Sequence, residues 1–313
     1  MPYRSAHRGI HIRLALTALV AAVALVAAAC SSGSSAKPLS GISAPSKDDK
    51  IAGEVPKDIA SKGTLTVATD AEYAPMEFVA ADNTTIEGAD IDIAAAVGDV
   101  LGLKFKFVNA TFAGLIPGLT SGKYDVSWSS FFDNTDRQKV VDMVDYFQAG
   151  SGMFTKSSNS QTYTSLDPFC GQSVSAEDGT TELDDANTAA KKCASEGKPS
   201  MNVLHHRTQN EVNLDVLSGR AVAGLADSEV AQYQAKVTNG KVRFAGEYAP
   251  PVLYGIAVPR PSGAAKGSGP LTKAIVDALQ KLFQDGTYKK ILDKWGVADG
   301  SIDTITINAA ANG

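Results

Sequence analysis

The chain has 313 residues, 44% hydrophobic and 20% charged, which is enough for two domains of ordinary size. Its formal net charge is −5, and removing residues 1–29, with three arginines and no acid, takes it to −8. An acidic body without a basic cluster argues against nucleic acid as a partner.

Residues 1–13 carry Arg4, Arg8 and Arg13, and residues 14–29 (LALTALVAAVALVAAA) are apolar throughout. That order predicts a secretory signal over residues 1–29. A membrane span is the alternative, and the run falls short of the ~20 residues a span needs. Cys30 follows, then SSGSSAKPLSGISAPSK, whose Ser, Gly and Pro predict a flexible tether over residues 30–61. The arrangement resembles the bacterial lipobox, although Ala27 stands where Leu or Val is usual. The resemblance implies a lipid on Cys30 and a place at the outer face of the cytoplasmic membrane.

Strand-like and helix-like runs alternate from Gly63 onward. TLTVAT (64–69) predicts a strand, DIDIAAAVGDVLG (90–102) a helix stopped by glycine, and KFKFVN (104–109) an alternating strand. FAGLIPGLTSG (112–122) predicts a short helix and YDVSWS (124–129) a strand. The pattern resumes with QSVSA (172–176), a helix over 181–196, MNVLH (201–205), a helix near 208–218 and AVAGLA (221–226). VLYGIAVPR (252–260) leads to two final helices, GPLTKAIVDALQKLFQDG and TYKKILDKWG. Such alternation implies an α/β fold with parallel strands under covering helices, and two successive units suggest two lobes. In an exported chain the even pair Cys170 and Cys193 reads as a disulfide, with two buried free thiols as the alternative. No histidine or cysteine has metal-site spacing, so neither metal nor cofactor is expected.

Ligands of open α/β sheets bind where strands end and helices begin. Four such turns here are polar: Asp70 with AEYAPMEF, SSFFDNTDR (129–137), DGTTE (178–182) and Asp227. Together they offer one fixed cation, carboxylates, hydroxyls and helix-start N–H groups. This inventory suits a zwitterion, its carboxylate on the fork of Arg137 and its ammonium on Asp70 and Asp227. Tyr73 and Phe112 would supply flat walls. Each residue also has a plainer reading. Asp70, Asp90 and Asp227 suit helix N-caps, Tyr73 and Phe112 suit a core, Arg137 and Glu177 suit solvent, and Trp128 and Trp295 suit packing.

Seven segments stand in one order: GTLTVATDAEYAPMEF, EGADIDIAAAVGDVLGLKFKFV, FAGLIPGLTSGKYDV, TDRQKVVDMVDYF, DGTTE, LSGRAVAGLAD and FQDGTYKKILDKWG. Over about residues 62–296 the chain resembles family 3 extracellular solute-binding proteins, the polar amino-acid receptors of ABC importers. The resemblance implies a type II periplasmic-binding-protein-like fold, in which two crossing strands join two lobes, each a mixed sheet flanked by helices. Lobe 1 would span 62–151 plus 253–313 and lobe 2 would span 152–252, with hinges near 149–154 and 248–254. It assigns the ligand's amino group to Asp70 and Asp227, and its α-carboxylate to Arg137 with Thr180 and Thr181. Tyr73 and Phe112 become the aromatic walls and Ser129 and Ser130 the small polar positions; Asp90 reads equally as an N-cap or a side-chain contact, and Glu177, whose position contacts the ligand side chain in some relatives, equally as solvent-exposed. Phe132 replaces a usual Ser or Thr, leaving only its backbone N–H for the ligand, and Asn134 replaces a common threonine. The implied partners are an amino acid and a permease–ATPase complex, with the receptor a monomer and no catalytic residue. A sensing module for a membrane partner and a cyclohexadienyl-dehydratase-like enzyme are the alternatives on this fold.

Overall fold

The computed structural model describes residues 39–310. The signal over 1–29, the lipidation site Cys30 and the start of the tether lie outside the described residues. The later part of the expected tether is folded rather than flexible. Asp48 caps α1 (Asp49–Ala52) by accepting from Lys50 N and Ile51 N at 3.1 and 3.2 Å, and Gly63 ends α2 (Lys57–Lys62) in the left-handed conformation. Leu39, Val55 and Ile59 are buried in one core with Val100 and Ile275, and Ile51 packs against it. Ile51 on α1, Val55 in the turn between the helices and Ile59 on α2 meet one core, but Pro56 splits them, so no single helical period marks the segment in the sequence.

β1 (Thr64–Thr69) runs into a small antiparallel ribbon of β2 (Glu72–Tyr73), β3 (Glu77–Val79) and β4 (Ile86–Glu87). Gly88 links the ribbon to α3 (Ala89–Leu101) at φ 144°, and a Cβ there would lie 2.0 Å from Met76 O, so glycine alone fits. β5 (Lys104–Asn109) alternates as its sequence does, with Phe105 and Phe107 buried and Lys104 and Lys106 exposed. α4 (Phe112–Thr120) then leads to β6 (Val126–Ser127), shorter than the run 124–129 implied. β1 pairs in parallel with β5 on one side and β6 on the other.

β7 (Val141–Lys156) crosses the molecule into a second half. There β8 (Ser173–Glu177), α5 (Thr181–Ser195), β9 (Asn202–His206), α6 (Gln209–Ser218) and β10 (Ala223–Asp227) form two parallel strand–helix–strand units. After α7 (Ser228–Val237), β11 (Val242–Pro259) returns antiparallel to β7 along its length, with register shifts between Phe244 and Gly255. α8 (Pro270–Gln284) and α9 (Thr287–Trp295) cover the first half, and β12 (Thr306–Ile307) pairs with β7. Among the described residues the main sheet therefore reads β5-β1-β6-β11-β7-β10-β8-β9, two α/β halves sharing the long pair β7 and β11.

Leu65, Val67, Ile93, Val97, Ile275 and Leu279 belong to the core of the first half, and Phe169, Val174, Leu225 and Ala186 to that of the second. Cys170 and Cys193 are disulfide-bonded, their Cα atoms 5.7 Å apart, which fastens the approach to β8 onto α5. Among the described residues no helix is long and apolar enough to cross a membrane.

Candidate functional site

Where the strands of both halves end lies a narrow cleft, part of it open to solvent. Tyr73, Phe112, Ser129, Ser130, Phe132 and Arg137 line it from the first half, and Thr180, Thr181 and Asp227 from the second. Asp70 and Asp90 are not on its wall.

Arg137 opens a short 3₁₀ turn, Arg137–Lys139, rather than an α-helix, and Asn134 Oδ1 accepts its backbone N–H at 2.9 Å. The guanidinium lies 5.4 Å from the ring centre of Phe112 and 5.2 Å from that of Phe131, a cation–π seat. It donates to Phe132 O at 2.7 Å and across the cleft to Gly179 O at 3.2 Å. Two of its five N–H groups are thus held, and the rest are available to a carboxylate. Burial disfavours its charge, while Glu182 and Asp227 support it. Phe131 is the floor under the guanidinium; the ring of Phe132 packs on Tyr254 at 5.2 Å and its carbonyl orients Arg137.

Opposite Arg137 stands the N-terminus of α5. Thr180 caps it, Oγ1 accepting from Leu183 N at 3.2 Å and donating to Glu177 O at 2.8 Å. The first N–H groups of a helix have no intrahelical partner and favour an anion. Gly179, just before the cap, has φ 85°, and a Cβ would come within 3.0 Å of Ala113 Cα, so the halves approach closely there.

The serines are held from beneath. Ser129 Oγ accepts from Asp70 N at 2.9 Å and donates to Glu77 Oε1 at 2.8 Å. Ser130, at φ 45°, places Oγ 3.0 Å from Glu77 Oε2 and 3.2 Å from Asp90 Oδ2. Tyr146 Oη donates to the same Asp90 oxygen at 2.6 Å. Burial raises Glu77 well above the usual carboxylate range, with the charge of Asp90 adding to it, and raises Asp90 to about 6. Two carboxyls this close and this buried disfavour being charged at the same time.

Asp70 Oδ2 accepts from Phe112 N at 2.7 Å, the first residue of α4, so this carboxylate is bound to a helix start behind the wall. Burial, then the charge of Glu72, raises it to about 7. Asp227 begins α7 without any side-chain capping bond, and Tyr254 Oη donates to its Oδ2. Burial, then Glu182, raises it well above its ordinary value. Glu177 is fully buried rather than solvated, takes the hydroxyl of Tyr73, and is raised by burial and Asp70 to about 10.

The cleft also takes Glu182, Gln209, Leu225 and Ala226, which sequence reasoning passed over. Glu182 ends DGTTE, where an acid in a first helical turn reads as dipole compensation; in the structure Ser151 Oγ donates to it at 3.1 Å. Gln209 follows a threonine cap and has no local signal. Among the described residues no group of three or more His, Cys, Asp or Glu is placed to hold a metal ion.

A binding cleft between two α/β halves defines a receptor-like architecture, and comparison with known proteins makes that specific. Residues 65–298 match the bacterial extracellular solute-binding proteins, family 3, and the chain belongs to that family. It is 29% identical over 260 residues to the arginine-binding protein ArgT of Corynebacterium glutamicum, covering 83% of each chain. An ancestral arginine-binding protein bound to arginine superposes with a TM-score of 0.67 at 34% identity, over 74% of this chain and 98% of that one. An ancestral amino acid-binding protein described as a precursor of cyclohexadienyl dehydratase gives 0.63 at 32% identity, over 76% and 97%. The fold is accordingly that of the two-lobed amino-acid-binding proteins.

Proposed function

We propose that the chain is the extracytoplasmic receptor of an ABC importer and that its ligand is an amino acid with a cationic side chain. The observation that carries this is the charge balance of the cleft. Arg137 is its lining cation, while Glu182 and Asp227 line it and Asp70 and Glu177 lie behind Tyr73. An α-carboxylate between Arg137 and the start of α5 neutralises the guanidinium. An α-ammonium at Asp227 then still leaves the carboxyls of Glu182, Asp70 and Glu177; burial raises the last two, and a second positive group beside them favours their charged forms and is held by them in turn. The names of the relatives, arginine-binding among them, agree with that reading. Calorimetric titration with L-arginine, L-lysine, L-histidine, L-leucine and L-glutamate tests it. The cationic amino acids should bind most tightly; tighter binding of leucine or glutamate contradicts it.

The lobes we propose are 62–151 plus 253–313 and 152–252, with α1 and α2 added to the first, closing about β7 and β11. Cys30 is proposed as the lipid anchor, a permease–ATPase complex as the partner, and the receptor as a monomer. Replacing Cys30 by alanine should release the protein from the membrane fraction; retention as firm as the parent's contradicts lipid anchoring. We read the cleft as one that binds without turnover. Arogenate and prephenate should remain unchanged on incubation.

A further inference from the structure

The ribbon at the cleft mouth has two working faces. Its register sets Tyr73 opposite Glu77 and Glu72 opposite Phe78. Directly opposed residues share a face and successive residues alternate, so the two pairs project on opposite sides. The first pair serves the cleft, since Tyr73 lines it and Glu77 holds both serines. The second pair reaches the other half of the molecule. Glu72 Oε2 accepts the backbone N–H of Asn210 at 2.8 Å. The ring of Phe78 lies 6.1 Å from that of Tyr233 on α7 and edge-on, at 5.8 Å, to Trp295 on α9.

Asn210 is the second residue of α6, so its N–H has no partner within the helix. Thr208 Oγ1, from the same segment, accepts Glu211 N at 3.3 Å. The start of α6 is thus capped partly by its own chain and partly by a carboxylate from the opposite half. Neither Glu72, Phe78 nor Asn210 lines the cleft.

We propose that Glu72 and Phe78 form a clasp that keeps the cleft shut over its ligand, Glu72 acting as a positioning residue that slows ligand release without touching the ligand. The Glu72–Asn210 bond exists only while the halves are together; when they part, both groups return to water. Such a contact differs in free energy between closed and open forms, which is what shifting that balance requires. Tyr73, on the same two-residue strand, donates to Glu177 of β8, so the clasp and a cleft wall move as one. The clasp rests on the receptor reading in one respect: the ligand is captured by closure.

Stopped-flow measurement of L-arginine association and release, with the parent, Glu72→Gln, Glu72→Ala and Phe78→Ala, tests it. Release should be about three- to tenfold faster in Glu72→Ala, the range expected for losing a helix-capping carboxylate. Glu72→Gln, which keeps an acceptor oxygen but no charge, should fall between, and Phe78→Ala should also release faster. Association should stay within about twofold, and the ligand-free melting temperatures of the Glu72 variants should match the parent's. X-ray scattering should show Glu72→Ala more expanded than the parent, both without ligand and with L-arginine. Equal release rates and superimposable scattering in both conditions overturn the clasp. A parent that binds no L-arginine refutes the cationic-ligand reading instead. The clasp then stands or falls on whether ligand-free Glu72→Ala is more expanded than the parent.

Discussion

At the residue scale the sharpest feature is one guanidinium seated on two phenyl rings and facing a helix start. Removing either end of a desolvated charge pair costs about 2–5 kcal/mol, roughly thirtyfold or more in affinity. Arg137→Ala and Asp227→Ala should each show that loss by calorimetry, with circular dichroism unchanged. Arg137→Lys should recover only part of it, because a point charge cannot make paired bonds to a carboxylate and cannot reach Phe132 O and Gly179 O together. Asp70 gives a second test. In the folded chain it is raised by burial and by Glu72 from 3.8 to about 7, so between those values the folded state holds a proton that the unfolded chain has lost. Stability from this group is therefore full below about pH 4 and declines as pH rises toward 7. Asp70→Asn keeps an acceptor for Phe112 N and removes the titration. Urea unfolding from pH 4.5 to 7.5 should show a shallower decline in the variant, and identical slopes would contradict the assignment.

Legibility at this scale followed the reach of each residue's partners. The lining positions Arg137, Thr180, Thr181 and Asp227 stand at the ends of strands or starts of helices, where local sequence marks a ligand-facing turn. Asp70 stands there too, yet its carboxylate is taken by Phe112 N, 42 residues away, a bond that no spacing announces. Glu77 on β3 and Asp90 near the start of α3 meet through Ser130, and Glu182 resembles an ordinary dipole acid until Ser151 and Arg137 are placed beside it.

At the scale of elements, α3, α4, α5, α6, β1, β5 and β8 were readable because each carries its own period and stop. β7 was not. Its run VDMVDYF is buried on both faces, and its acids have distant partners. Arg260 Nε donates to Asp142 at 3.0 Å, and Thr306 Oγ1 donates to Asp145 at 2.7 Å. The pair α1 and α2 was lost in the tether for the opposite reason, a few apolar residues split by Pro56 behind a low-complexity run. Deleting residues 39–62 should therefore lower the melting temperature, since it uncovers the core face filled by Leu39, Val55 and Ile59; an unchanged midpoint by calorimetry would mean the segment adds nothing. Cys170 and Cys193 close a loop with a sequence separation of 23. Cys170→Ser with Cys193→Ser should lower unfolding free energy by about 3 kcal/mol through chain entropy. It should also weaken ligand binding more than a disulfide remote from the site would, because the loop contains Thr180 and Thr181. Denaturant titration and calorimetry on the same variant separate the two effects.

At the scale of the whole molecule, two α/β halves share β7 and β11, and the cleft lies where the chain crosses. The register shifts of β11 between Phe244 and Gly255 fall in that crossing, where bending disturbs the fewest regular ladder bonds. Contacts from Arg137 to Gly179, from Tyr73 to Glu177 and from Glu72 to Asn210 all span the two halves. They make closure a change in named bonds, of the hinge type in which ligand is gripped from both sides. Scattering should show the parent compact with a bound cationic amino acid and expanded without it. The most direct test of the central claim is one calorimetric comparison, L-arginine titrated into the parent and into Asp227→Ala at neutral pH. Binding by the parent, tighter than for leucine or glutamate and weakened about thirtyfold or more in the variant, is the expected result. Affinities within about threefold of each other, or a parent indifferent to cationic amino acids, would contradict it.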